Sequence, residues 1–121
     1  MERINLKPLS LNHAYRGRRF ATKELTSFKT ALGYLLPKKT LPRGLYSVTY
    51  EFGVSCKAAD GDNLIKCFQD ALADKYGFND KDIYEWHIRK LDVPKGKEYC
   101  AFEIALYRKK LDELDALTNV R

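Results

Sequence analysis

Three carboxylates and one ammonium lie within the short segment 60–70, and groups of these types at this spacing can bind a metal ion. Asp60 and Asp62 flank one glycine, and Lys66 and Asp70 follow them. Clustered carboxylates repel one another unless a cation lies among them. Mg²⁺ suits such a cluster because it takes oxygen ligands, needs few carboxylates and keeps several waters. The same Asp-Gly-Asp-Asn run is also ordinary turn chemistry before an Asp or Asn helix cap, and the spacing alone leaves both interpretations open.

Calcium is the first alternative to magnesium, because the segment begins like an EF-hand loop. The match fails further along: Ile65 stands where that loop needs glycine, and Ala71 stands where it needs a bidentate glutamate. The sequence therefore disfavours an EF-hand calcium site.

A third ligand must come from outside this run, and Asp80 is the candidate if the chain folds back. A helix of about 14 residues between the two positions would span roughly 21 Å. We therefore expect Asp80 to reach Asp60 only if the backbone turns sharply or a second subunit supplies the residue. With Asp60, Asp62 and Asp80 around Mg²⁺, Lys66 would balance negative charge on a phosphate. The chemistry that this set supports is metal-assisted hydrolysis of a phosphodiester.

The length and composition predict one domain that covers residues 1–121. Of the 121 residues, 45% are hydrophobic and 31% are charged, which is ordinary for a soluble globular domain. No apolar stretch approaches the roughly 20 residues of a membrane span, and the first residues do not resemble a secretion signal. We therefore expect a cytoplasmic protein with no membrane partner.

Basic residues are concentrated in the first half of the chain. Residues 1–57 hold 11 Lys or Arg against 3 acidic residues, whereas residues 58–121 hold 11 against 13. In the predicted loop after the first strand, Tyr15 occurs with Arg16, Arg18 and Arg19, a composition that suits phosphate contacts and stacking on sugars or bases. An arginine-rich surface loop without a ligand is the alternative. The charge asymmetry favours a nucleic-acid partner.

The cysteines give no sign of metal binding or catalysis. Cys56, Cys67 and Cys100 are far apart, with neither a CxxC pair nor a histidine at zinc-finger spacing. We expect free, buried thiols and no catalytic cysteine, because no activating base is visible.

Apolar periodicity predicts an α+β fold, in which two main helices flank a mixed sheet in one domain. The elements follow the order β-α-β-α-β-β and end in a short C-terminal helix. The predicted ranges are strands 2–9, 45–54, 83–91 and 99–107, helices from Thr22 or Thr26 to Leu36 and from Asn63 to Tyr76, and a C-terminal helix with Leu111, Leu114 and Leu117. Gly77 is placed to end the second main helix, and Pro94-Lys95-Gly96-Lys97 indicates a β-hairpin between the last two strands.

A specific motif runs through this central part of the chain. It reads Asp60-x-Asp62-Asn63-Leu64-x-Lys66-x-x-x-Asp70-Ala71-Leu72 and is followed by Gly77-Phe78, Asp80 and the strand Ile83 to Leu91. With this motif the chain resembles the RusA-type Holliday junction resolvases, small endodeoxyribonucleases often carried by prophages. The resemblance covers nearly the whole chain. The Ser10-x-Asn12 loop, the helix after it and the last strands match by pattern more than by identity.

The resemblance implies a homodimer that uses Mg²⁺ to nick two opposed strands of a four-way DNA junction during recombination and repair. It makes Asp60, Asp62 and Asp80 the metal ligands and Lys66 the cation that faces the phosphate. Asp70 would orient Lys66 from one helical turn away, and Asn63 would lie beside the ligands. The DNA contacts would come from Asn12, Tyr15, Arg16, Arg18, Arg19 and Lys57.

Two departures from the family pattern shift these roles. The family commonly has arginines just before the first aspartate, whereas this chain has Lys57-Ala58-Ala59, so phosphate contacts would move to the arginine loop. The spacing before Asp80 also differs slightly and leaves Asp82 as an alternative third ligand. We favour Asp80 because Ile83 then begins the strand in the expected register. Two alternative functions stay open, a less selective branched-DNA or flap nuclease and a DNA-binding module without catalysis.

Overall fold

The computed structural model describes residues 1–10, 14–16, 20–56 and 61–108, which form a mixed four-stranded sheet, a two-stranded ribbon and two α-helices. In chain order the elements are β1 (Glu2–Ile4), β2 (Tyr15–Arg16), β3 (Phe20–Ala21), α1 (Lys23–Leu35), β4 (Tyr46–Val54), α2 (Gly61–Tyr76), β5 (Ile83–Asp92) and β6 (Tyr99–Leu106), with a 3₁₀ turn at Asp80–Asp82. The expected α+β class, mixed sheet and two main helices are confirmed. The predicted C-terminal helix lies outside the described residues.

Strand β4 lies inside the sheet because its sequence suits complete burial. Tyr46, Val48, Tyr50 and Phe52 alternate along it, are buried, and point to the face that the helices cover. The sheet order is β1-β6-β4-β5, with β5 parallel to β4 and the other pairs antiparallel. Helix α2 is the crossover between the parallel pair, as a βαβ connection requires.

The predicted hairpin between the last two strands is wrong. A turn does form, because the Lys97 N–H donates to the Pro94 carbonyl at 2.9 Å and Gly96 has a φ of 92°. However, β4 lies between β5 and β6, so the turn passes across the end of β4. Turn chemistry is local and determines where the chain reverses. The choice of neighbouring strand depends instead on which strand is buried most completely, here β4.

Helix α1 begins after one of its two predicted caps, whereas α2 begins at Gly61, two residues before its predicted start at Asn63, and both helices end within one residue of their predicted ends. The Thr22 hydroxyl accepts a hydrogen bond from the Leu25 N–H at 3.3 Å, so Thr22 and not Thr26 caps α1. Helix α2 ends before Gly77, whose φ of 74° is the left-handed conformation that glycine adopts readily. Its N–H donates to the Ala73 carbonyl at 2.8 Å.

The core lies between the helices and one face of the sheet. Phe68 of α2 is fully buried, and its ring packs edge-on against Tyr50 at 5.5 Å, Phe52 at 5.6 Å and Phe102 at 6.0 Å between centroids. These contacts fix the rotation of α2 on the sheet and therefore the direction of its polar face. No helix among the described residues has the length and apolar character needed to cross a bilayer.

Candidate metal and phosphate site

The chain reverses direction after α2, and this reversal determines where Asp80 lies. Gly77 ends the helix, and the side chain of Asn79 then accepts a hydrogen bond from the Lys81 N–H at 3.1 Å. The Asp82 N–H closes the 3₁₀ turn by donating to the Asn79 carbonyl at 2.9 Å. This turn returns the chain along α2 before β5 begins.

Asp80 thereby contacts the polar face of α2 within one chain. The Lys66 ammonium lies 3.1 Å from Asp70 Oδ1 and 3.5 Å from Asp80 Oδ2. The chain therefore turns sharply after α2 and brings Asp80 to this helix within one chain. Asp60, the residue that Asp80 was expected to reach, lies outside the described residues. Of the two candidate third ligands, Asp80 is the one whose carboxylate lies against Lys66.

The remaining members of the motif lie at the start of α2. The helix begins at Gly61, so Asp62 and Asn63 occupy its first turn. A carboxylate in a first turn interacts favourably with the helix dipole, whether or not it also binds a metal. Asp60 and the side chain of Asp62 lie outside the described part of the structure, so the cap and ligand interpretations both stay open.

The two carboxylates keep Lys66 charged. Its pKa is raised, chiefly by the hydrogen bond to Asp70, and the charges of Asp70 and Asp80 act in the same direction while burial opposes them. Lys66 is therefore a fixed cation over the neutral pH range. The side chain is 53% exposed, so the ammonium is also open to an anion from solution.

The carboxylates described around Lys66 are oxygen donors, the type of ligand that a hard cation takes. Asp70 and Asp80 already direct carboxylate oxygens at one positive charge, the Lys66 ammonium, and oxygen donors are what Mg²⁺ prefers. Within the part of the chain that the structure describes, no three His, Cys, Asp or Glu side chains form a metal-binding group. Two of the predicted ligands, Asp60 and the Asp62 side chain, fall outside that part.

A buried glutamine on α2 connects this helix to the sheet, and the sequence did not reveal it. Gln69 is 7% exposed. Its Oε1 accepts hydrogen bonds from the Tyr50 hydroxyl at 3.1 Å and from the Trp86 indole N–H at 2.9 Å. Burial, and then the negative charge of Asp80, raise the pKa of Tyr50 far above its ordinary value, so the phenol remains a donor.

The position of Gln69 on the helix is the sequence feature that indicates its burial. It lies four residues after Ile65 and three before Leu72, at the border of the apolar stripe of α2. A polar side chain at such a border is buried when the facing strands offer hydrogen-bond donors. Those donors come from β4 and β5, so only the assembled sheet identifies them.

Most of the predicted DNA contacts lie outside the described residues: Asn12, Arg18, Arg19 and Lys57. Tyr15 and Arg16 form β2, which pairs with β3 in the register Tyr15 to Ala21 and Arg16 to Phe20. The arginine loop is therefore a short ribbon and not irregular throughout. Its base is attached to the start of α1, because the Thr22 hydroxyl and N–H donate to the Ala14 carbonyl at 3.1 and 2.9 Å.

The cysteines are free, but not all are buried. Cys67 and Cys100 are buried as expected, whereas Cys56 is exposed just after β4. Burial raises the pKa of both buried thiols, which keeps them protonated. The structure thus gives Cys67 and Cys100 the role of small apolar residues.

Comparison with protein-family models and with curated proteins finds no match for this chain. The resemblance to the RusA-type resolvases stays a prediction from the motif, and so does the role of each site residue.

Proposed function

We propose that this chain is a Mg²⁺-dependent endodeoxyribonuclease that acts as a homodimer on four-way DNA junctions in the cytoplasm. The observation that carries the proposal is the approach of Asp80 to Lys66, at 3.5 Å within one chain. It joins a carboxylate after α2 to the helix that begins with the Asp60 and Asp62 motif.

The proposed roles follow from the chemistry of each group. Asp60, Asp62 and Asp80 would hold Mg²⁺, which when bound polarises a phosphoryl oxygen and lowers the pKa of a bound water. Lys66, positioned by Asp70, would face the scissile phosphate and stabilise the negative charge that develops on its oxygens. The exposed position and raised pKa of Lys66 support this role, because a phosphate-facing cation must be charged and accessible.

The basic first half of the chain supports DNA as the substrate. Residues 1–57 hold 11 Lys or Arg against 3 acidic residues, and the ribbon that contains Arg16 belongs to this half. Such an excess favours contacts to the phosphate backbone. Basic residues elsewhere on the protein would then hold the DNA so that its phosphate backbone lies close to the acidic cluster on α2.

Three labelled substrates test the proposal: a four-way junction, a flap and a linear duplex, each incubated with Mg²⁺ or with a chelator. We expect paired nicks in the junction that require Mg²⁺, and little cutting of the duplex. Equal cutting of the junction and the flap would instead indicate a less selective nuclease. Binding of the junction without metal-dependent nicking would identify a binding module and contradict the proposal.

Asp62→Asn separates catalysis from binding. The substitution removes a negative charge that would face phosphate, so we expect junction binding to be unchanged or tighter and nicking to be abolished. Loss of folding together with binding would show instead that Asp62 serves mainly to stabilise the first turn of α2.

A further inference from the structure

Trp86 on β5 is the single tryptophan of the chain, and its indole is held at one end and open to solvent elsewhere. The indole N–H donates to Gln69 Oε1 at 2.9 Å, and the same oxygen accepts from the Tyr50 hydroxyl at 3.1 Å. Gln69 is buried, whereas Trp86 is 45% exposed. A buried acceptor therefore fixes the orientation of a large aromatic ring that a ligand can still reach.

This indole lies on the side of α2 that carries the ion pair of Lys66 and Asp80. Gln69 follows Lys66 by three residues, and side chains at this spacing are neighbours on a helix surface. Burial, and then the negative charge of Asp80, raise the pKa of Tyr50, which shares the Gln69 oxygen with the indole. The buried glutamine thus links the exposed aromatic ring to the charged groups of the candidate site.

A phosphate bound at Lys66 and a base placed on Trp86 would belong to neighbouring nucleotides of one strand. The Cβ atoms of Lys66 and Gln69 are about 5–6 Å apart at this helical spacing, and the indole lies one hydrogen bond beyond the glutamine. Lys66 offers an exposed positive charge. Trp86 adds an aromatic face on which the base of that strand can stack.

Stacking on a fixed ring selects bases that are not already stacked. Withdrawing a base from a duplex costs pairing and stacking energy, whereas a single strand or a branch point already presents free base faces. An indole that is held before the ligand arrives also loses little conformational freedom on binding. A contact at Trp86 therefore favours unpaired DNA over a continuous duplex.

Two other described aromatic side chains are more exposed but have different surroundings. Tyr34 is 87% exposed and lies on α1. Tyr84 is 58% exposed, and its ring packs against Tyr107 with 5.6 Å between centroids. Of these three exposed aromatic side chains, Trp86 is the one whose hydrogen bond ties it to the helix that carries Lys66. Its position, and not exposure alone, distinguishes it.

We propose that Trp86 is a stacking platform for an unstacked nucleobase of the DNA strand whose neighbouring phosphate lies at Lys66. Gln69 is the positioning residue that orients the indole. The inference rests on the proposed function in taking DNA as the partner, but it requires no cleavage. It gives the protein a preference for unpaired DNA that phosphate contacts alone do not supply.

The fluorescence of Trp86 tests the contact directly, because the chain has no second tryptophan. The full-length protein is titrated without Mg²⁺ with oligothymidylate, with an abasic oligomer of the same length, and with a duplex. The abasic oligomer carries the same phosphates and no bases. We expect oligothymidylate to quench the emission and to bind about tenfold more tightly than the abasic oligomer. The abasic oligomer and the duplex should leave the emission almost unchanged.

Substitutions separate stacking from backbone contacts, with binding measured by the anisotropy of labelled oligomers. Trp86→Leu should weaken binding of oligothymidylate about tenfold and leave binding of the abasic oligomer unchanged. Trp86→Phe, which keeps a ring, should lose less affinity than Trp86→Leu. Tyr34→Leu removes an exposed aromatic ring from α1 and should bind both oligomers as the parent does. Circular dichroism verifies that each variant is folded.

The outcomes separate this inference from the proposed nuclease function. Equal quenching by the abasic oligomer, or parent-like binding of oligothymidylate by Trp86→Leu, would overturn the stacking role even if the parent protein nicks junctions. Base-dependent quenching in a parent protein that never nicks would support the stacking role and contradict the nuclease. A parent protein that binds none of the three DNA ligands would overturn the stacking role as well.

Discussion

The carboxylate of Asp80 lies 3.5 Å from the ammonium of Lys66 within one chain, although most of α2 separates them in sequence. The left-handed conformation of Gly77 and the 3₁₀ turn after it bring the chain back along the helix. The proposed site depends on this approach, because it places the carboxylate of Asp80 beside α2, the helix that begins with the Asp60 and Asp62 motif.

Magnesium should stabilise the folded protein through Asp80. A ligand that binds only the folded state raises the melting temperature in a concentration-dependent way. We expect Mg²⁺ to raise the melting temperature of the parent protein and to raise that of Asp80→Asn much less. Asp92→Asn, at the far end of β5, should respond as the parent does. An equal response from all three proteins would show that Asp80 does not bind the ion.

Replacing Lys66 should affect catalysis more than stability. The ion pairs of Lys66 are exposed, so Lys66→Met should reduce the free energy of unfolding by no more than about 1 kcal/mol and slow nicking about 100-fold. Lys66→Arg should retain more activity. If Lys66→Met nicks as fast as the parent protein, Lys66 does not face the phosphate.

The difference in unfolding free energy between the parent protein and Lys66→Met should depend on pH, because the pKa of Lys66 is raised in the folded protein. A group whose pKa is higher in the folded than in the unfolded state contributes its full stabilisation below the unfolded value. This stabilisation is lost as the pH rises through the pKa that the group has in the folded state. The free energies of unfolding of the parent and Lys66→Met, measured in urea, should therefore differ by a constant amount at neutral pH, and the difference should disappear as the pH becomes strongly alkaline.

Gln69→Met should destabilise the protein by about 1–3 kcal/mol, because a buried donor that loses its acceptor carries that cost. The two donors that lose this acceptor are the Tyr50 hydroxyl and the Trp86 indole N–H, and adding Tyr50→Phe should recover the part of the loss that comes from Tyr50. The single tryptophan is Trp86, so its emission should also change when the indole N–H loses its acceptor. Urea unfolding followed by fluorescence measures both effects. Additive losses in the double variant would show that the hydrogen bond contributes nothing.

Two glycines should respond to alanine in opposite directions. A Cβ on Gly53 would clash with the ring of Tyr99, which is held by its hydroxyl bond to Glu51 at 2.9 Å and by Arg3 at 3.6 Å from the ring centroid. Gly53→Ala should therefore destabilise by about 1–3 kcal/mol. Gly33→Ala, in α1, should stabilise by about 0.5–1 kcal/mol, because no described atom lies within 4 Å of the added carbon. Urea unfolding compares the two variants, and equal effects would contradict the packing at Gly53.

Local signals predicted the two helices and strands β4, β5 and β6, but the first strand, predicted as 2–9, covers only Glu2–Ile4, and the ribbon of β2 and β3 was not predicted. The other missing information concerns long-range partners. The spacing of Leu64, Phe68 and Leu72 predicted α2, and the alternation along β4 predicted its buried face. The Pro94 turn predicted a reversal correctly but assigned the wrong neighbour to β6, because strand order depends on which strand is buried most completely.

The candidate site was also predicted only in part: its residue types and spacing were visible in the sequence, but its long-range contacts were not. The types and spacing of Asp62, Lys66 and Asp70 were visible in the sequence, and so was Asp80. The approach of Asp80 depends on the turn after Gly77, and the burial of Gln69 depends on donors from two strands. Distances of this kind arise only when the helix and the sheet pack together.

The central claim is that Asp80 completes a magnesium-dependent nuclease site. The most direct measurement compares nicking of a labelled four-way junction by the parent protein, Asp80→Asn and Asp82→Asn, with binding of the junction measured in parallel. We predict that all three proteins bind the junction, that the parent and Asp82→Asn nick it only with Mg²⁺, and that Asp80→Asn does not nick it. Nicking by Asp80→Asn at the parent rate, or no metal-dependent nicking by the parent protein, would contradict the claim.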